Sequence, residues 1–305
     1  MKRFLVAALA ATALFAQAQG FPGSKPITIV VPFAAGGPTD LVARQLGETM
    51  RKTMGGGANF VVAVSDVEPG STLERESNPD EYFVLLAPGA AAEVTAGTER
   101  VESTGDALII APPGRSRVTV RSKGRIARIF SRHASDLTAR AVNAATYADG
   151  APEVAPIVSW PTPVGGFKLR HYRLADYLEP KTFGRLFRTQ NLMINVFEPI
   201  TRPRDTTKLS PHSHADFEQG SLSLYGDVMH HLRVPWTADM NTWRPDEHLQ
   251  YQSPALLVVP ANLIHTTRYT GGDPNYFIDI FSPPRRDFSE KPGWVRNADD
   301  YPMPA

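Results

Sequence analysis

The sequence predicts a mainly β protein built from two tandem barrels, and three observations predict it. Short apolar runs rich in β-branched and aromatic residues recur at 60–64, 82–86, 107–111, 117–120 and 126–130, as expected for strands of barrels and jelly rolls. Turn-forming stretches such as Glu68-Pro69-Gly70 and Pro112-Pro113-Gly114 separate them, and the chain carries 27 prolines and 23 glycines, enough to punctuate many short strands. A second set of runs at 192–197, 222–224, 256–259 and 276–281 repeats the layout, which reads as an internal duplication.

Composition bounds the rest. With 305 residues, 42% hydrophobic and 21% charged, the chain has the usage of one large or two ordinary globular domains, not of a disordered or coiled-coil protein. A net charge of +1 from 32 basic and 31 acidic residues offers no electrostatic footprint for nucleic acid. The absence of cysteine excludes disulfides, thiolate metal sites and a cysteine nucleophile.

In chain order, residues 1–18 read as a secretory signal. Met1-Lys2-Arg3 is a basic start, 4–15 is an apolar run too short to span a bilayer, and Ala16-Gln17-Ala18 offers a small-residue cleavage site. This predicts export to the periplasm or beyond, and no other stretch is long and apolar enough to span a membrane. A start at Met50 or Met54, or a chimeric reading frame, would instead leave a cytoplasmic protein. Residues 19–58 form a separate segment, with a buried strand expected at 27–31, a turn at 33–38, and a helix whose apolar positions Leu41, Val42, Leu46 and Met50 share one face. The first β region is expected over 59–135, a connection over 136–188, the second β region over 189–288 and a tail over 289–305.

The wording KPITIVVPFAAGGPTDLVAR after the signal resembles the start of the substrate-binding receptors of tripartite tricarboxylate transporters, the Bug family. That resemblance covers about 50 residues and implies a carboxylate-holding loop at 32–40. The strand–helix alternation that would complete such a receptor does not continue past Met54.

The most chemically loaded stretch is Pro211-His212-Ser213-His214-Ala215-Asp216-Phe217-Glu218. On a continuous strand His212, His214 and Glu218 have equal parity and face one way. Imidazole and carboxylate together suit iron, manganese, nickel, zinc or copper. His265 follows the run 256–259 and the turn Pro260-Ala261-Asn262, where an antiparallel neighbour would bring it alongside. The adjacent pair His230-His231 is expected to point to opposite faces in a structural role.

These motifs resemble those of the cupin superfamily. His212, His214 and Glu218 match its H-x-H-x(3,4)-E, and Pro260 with His265 matches P-x-G-x-x-H, with Asn262 in the glycine place. Asn tolerates the left-handed backbone expected there. The glycine before the histidine pair is replaced by Thr206, and the later one, Gly226, falls a residue or two late. The first β region resembles a cupin without its metal: Glu81 takes the glutamate place, Arg75 and Ser77 the first two histidine places, and Arg117 the last. An anion pocket made by Arg75 and Arg117 is one reading of that change.

Over 60–285 the resemblance implies a bicupin with one divalent transition metal (iron, manganese, nickel or zinc) held by His212, His214, Glu218 and His265. Gln219, Tyr225 and Arg268 are the candidate substrate contacts. Cupins of this type include dioxygenases, decarboxylases and isomerases acting on small organic or aromatic substrates, so the fold alone does not choose a reaction. The alternative is a periplasmic solute-binding or non-catalytic module. A homodimer is an expectation from the same resemblance.

Overall fold

The computed structural model describes residues 52–178, 184–271 and 274–305; the signal, the Bug-like strand and helix, and Pro32 to Asp40 lie outside them. The first barrel uses β1 (Lys52–Gly56), β2 (Phe60–Val67), β3 (Thr72–Arg75), β4 (Tyr82–Leu86), β5 (Ala91–Ala96), β6 (Glu99–Thr104), β7 (Ala107–Ala111), β8 (Ser116–Val120), β9 (Gly124–Ser131) and β10 (Arg170–Arg173). Its sheets run β1-β2-β9-β4-β7-β10 and β3-β8-β5-β6. The second uses β11 (Arg185–Arg188), β12 (Met193–Val196), β13 (Gln219–Tyr225), β14 (Asp227–Arg233), β15 (Glu247–Gln252), β16 (Ala255–Val259), β17 (Ile264–Tyr269) and β18 (Tyr276–Phe281). Its sheets run β11-β12-β18-β13-β16 and β15-β14-β17.

The duplication is visible in that order, since β1-β2-β9-β4-β7 and β11-β12-β18-β13-β16 are the same succession of strands. Strand β1 lies in the segment that sequence reading set before the barrels, yet it pairs with β2 from Lys52↔Ser65 to Gly56↔Val61. No helix among the described residues is long and apolar enough to cross a membrane.

The two large sheets pack face to face. On β4, Phe83 and Leu85 join Leu222 and Leu224 of β13 and Ile278 and Ile280 of β18 in one core. Their neighbours Tyr82, Val84 and Leu86 turn into the first barrel. Both faces of these strands are thus buried, which is why they read as unbroken apolar runs rather than alternating ones. The barrel interiors differ. Val84, Val94, Ile109, Val118 and Phe130 fill the first. Gln219, Ser221, Ser223, His230 and Asp279 are buried in the second.

Glu81 lies at the seam between the barrels and the C-terminal tail. It accepts from Tyr301 Oη at 2.6 Å, and Arg170 stands 3.8 Å away. Burial pushes its carboxyl up to about 7. Because the folded-state value lies above the unfolded one, the protonated seam stabilises the fold at low pH, and that contribution is lost as pH rises through 7. The unfolding free energy is expected to fall between pH 6.5 and 8, with about 1 kcal/mol of the fall due to Glu81. In Glu81→Gln, denaturant unfolding at the two pH values should give a correspondingly flatter profile.

Candidate metal centre

Two backbone bonds seat the first histidine against the last. His212 N–H donates to His265 O at 3.1 Å and His265 N–H to His212 O at 2.8 Å. The turn before β17 is tied to the same segment, because Asn262 N–H donates to His214 O. Asn262 holds φ at 65°, the left-handed conformation expected of the residue in the glycine place. The result is a cluster in which the ligand atoms of His212, His214 and His265 all lie within 4.8 Å of one another.

Hydrogen bonds define the rings. A carbonyl only accepts, so His212 Nδ1–H donates to Ser210 O at 2.8 Å and His265 Nδ1–H to Leu263 O at 3.0 Å. In the neutral rings the lone pair then sits on Nε2. His265 Nε2 is fully buried and has no hydrogen-bond partner. His214 Nε2–H donates to Gln219 Oε1 at 3.0 Å, so in that ring the lone pair sits on Nδ1. The Gln219 amide is oriented from behind, since its Nε2 donates to Asp279 Oδ1 at 2.9 Å and to Ser221 Oγ at 3.0 Å. That leaves the amide oxygen turned toward the histidines.

Burial keeps the His214 and His265 rings neutral. Burial lowers His214 to about 3, with the Arg285 guanidinium adding to the effect. Burial also lowers His265 to about 4 and His230, whose Nδ1 lies 2.8 Å from Thr267 Oγ1, to about 3. Burial raises Asp279 to about 7. Three converging imidazoles, one with an orphaned lone pair, fit a divalent transition metal.

Glu218 is not brought to this cluster. Its carboxylate accepts from Ala58 N–H at 2.6 Å and from Tyr147 Oη at 2.8 Å, and a Cβ on Gly57 would meet its Oε2 at 2.6 Å. The parity argument required an extended strand through 212–218, but the chain bends at Ala215 and Asp216. The bend shifts alternation by one residue, so Gln219 faces the barrel and Glu218 faces the junction. The late position of Gly226, counted from Glu218, was the signal in the sequence.

Tyr225 and Arg268 are also elsewhere. Tyr225 packs beside the inter-barrel core, its ring 4.8 Å from the Arg125 guanidinium carbon. Arg268 Nε donates to His231 Nε2 at 3.2 Å, outside the cavity that His212 and His265 line. Arg75 and Arg117 do not converge. Register pairs Glu74 with Arg117 and Arg75 with Ser116, so the two arginines stand on opposite faces. Arg117 is exposed and pairs with Glu74 at 2.8 Å. Buried Arg75 is clamped by Asp136 at 2.6 and 2.9 Å.

Matching ladders correct the correspondence between barrels. His212↔His265 answers Arg75↔Ser116, and Gln219↔Val259 answers Tyr82↔Ala111. Ser116 lies five positions after Ala111 while His265 lies six after Val259, so Ser116, not Arg117, stands in the place of His265. Likewise Tyr82, not Glu81, stands in the place of Gln219. Sequence reading also missed Arg204 and Asp279. The single charge within the apolar run 276–281 was the available sign for Asp279.

No family model matches the chain. Two curated relatives match over 94 residues: a UPF0065 protein in the TAR-I ttuE-ttuC' intergenic region of Agrobacterium vitis at 40% identity, and a UPF0065 protein of Bordetella pertussis at 35%. Each match covers 28% of this chain, and the chain spans about a quarter of those relatives' length, 25% and 27%. Among solved structures, the oxalate decarboxylase of Lactobacillus farciminis in its formate complex is similar, with 14% identity and a TM-score of 0.48 over 74% of this chain and 78% of that one. A cupin 2 conserved barrel domain protein from Leptotrichia buccalis matches with 10% identity and a TM-score of 0.43 over 84% of this chain and 100% of that one. The strand order of the two barrels decides the fold class. It is a bicupin. The histidine cluster sits in the second barrel, and the first has no histidine at the corresponding positions.

Proposed function

We propose that the second barrel holds one divalent transition metal through His212, His214 and His265, with the Gln219 amide oxygen beside them, and that the protein is a metal-dependent enzyme acting on a small organic acid. The observation that carries this reading is the buried, unpartnered Nε2 lone pair of His265, held by the bond from its Nδ1 against two further imidazoles. A bound metal would polarise substrate oxygens as a Lewis acid. Because Gln219 is neutral, the ligand set leaves the ion's charge undiminished, which favours an anionic substrate.

The chain's own residues point the same way. A cavity of about 940 Å³ opens over the cluster and is lined by Arg204, Ser210, His212, His265, Thr267 and Phe277. Arg204 donates to Thr267 O at 2.7 Å and to Ser210 Oγ at 2.9 Å. These acceptors are neutral, and no carboxylate among the described residues pairs with Arg204, so its charge is free to meet a substrate carboxylate. The flanking Phe277 supplies apolar wall.

A panel of small mono- and dicarboxylates, tested for binding and turnover with metal-loaded protein, tests the reading. Arg204→Met is expected to weaken the preferred acid about 10- to 100-fold with metal content unchanged. Equal affinity in Arg204→Met, or preference for neutral ligands, would contradict it. Tight binding without turnover would favour a non-catalytic binding module.

A further inference from the structure

We infer that the first barrel binds a compact monovalent anion at the place where the second presents its histidines. The matching ladders put Arg128 of β9, paired with Ala63 and Val84, where β18 has Asp279, paired with Asn195 and Ser221. Arg75, Tyr82 and Ser116 occupy the places of His212, Gln219 and His265. A site for a cation in one barrel thus corresponds to two guanidiniums and two hydroxyls in the other.

Arg128 is the deciding residue. It is 9% exposed, its Nε is fully buried without a partner, and no carboxylate among the described residues pairs with it. An arginine cannot shed its proton to relieve burial, and buried charges in folded proteins are paired. The guanidinium carbons of Arg75 and Arg128 each stand 5.6 Å from the centre of the Phe130 ring. Tyr82 stacks on that ring at 4.5 Å. Asp136 clamps Arg75 with two hydrogen bonds, so the uncompensated charge is that of Arg128. Tyr82 Oη and Ser116 Oγ are 2.8 Å apart; one hydroxyl hydrogen serves that bond and the other is left to donate. Val84, Val94, Val118 and Val120 belong to the same packed interior, so the occupant we infer is small, a halide or a carboxylate of one or two carbons.

Thermal unfolding of the full chain at fixed ionic strength tests this, with sodium gluconate replaced by chloride or by formate. The midpoint is expected to rise by about 3–5 °C in chloride, in formate or in both, and the better anion identifies the occupant. The same rise should appear in the His212→Ala/His214→Ala protein, which separates this site from the second barrel. In Arg128→Gln the anion-specific rise should vanish while stability in gluconate is kept. If that variant does not fold, bromide-soaked wild-type crystals should show anomalous density beside Arg128 and Tyr82. Equal midpoints in all three salts, a rise that persists in Arg128→Gln, or no bromide there would overturn the inference.

Discussion

Glu218→Ala is expected to keep its metal and lose stability. A ligand carboxylate would behave in the opposite way. The side chain is buried, and its two acceptor bonds join three parts of the chain: the stretch between β1 and β2 through Ala58, the connection between barrels through Tyr147, and the start of β13. Alanine leaves two buried donors without an acceptor, at about 1–3 kcal/mol each. Burial already holds the Glu218 carboxyl above its usual range, which offsets part of that cost. A net loss of about 2–4 kcal/mol is expected, and urea unfolding measures it. Elemental analysis of the same variant should still find the metal. Loss of metal with stability unchanged would return Glu218 to the ligand set.

His265→Ala is expected to lower metal affinity by two orders of magnitude or more while leaving the fold intact. His265 contributes the buried lone pair, and its ring is pre-oriented by Leu263 O. Loss of a ligand removes more than the 10- to 100-fold that loss of a ligand's outer partner costs. The fold should survive because the backbone bridge between 212 and 265 does not use the imidazole, and because alanine removes a buried polar atom that lacks a partner. Competition with a chelator gives the affinity, and circular dichroism checks the fold. Unchanged affinity would mean that the cluster is not the metal site.

The fold was legible because β4, β7, β13, β16 and β18 are buried on both faces, so each is a short apolar run with turn residues at its ends. Strands without such runs, including β1 and β15, left no pattern to read. Parity held along continuous strands: His230 turns inward to Thr267 while His231 meets His248 outside. It failed where the chain bends at Ala215–Asp216, and the path from Ala111 to Ser116, one residue shorter than that from Val259 to His265, produced a similar one-residue slip. Those slips put Glu218 in the place of Gln219 and Arg117 in the place of Ser116. The histidines were legible from parity together with the resemblance to the cupin motifs, because two lie before the bend and the third is carried by a turn with a left-handed Asn. Asp279 and Arg128 were hidden in strands, each a lone charge inside an apolar run, and only strand pairing shows what they face.

Elemental analysis of the purified wild-type chain, beside His212→Ala/His214→Ala, tests the central claim most directly. The account predicts about one divalent transition metal per wild-type chain and loss of that metal in the double variant. Absence of metal from the wild type after reconstitution, or equal metal in both proteins, would contradict it.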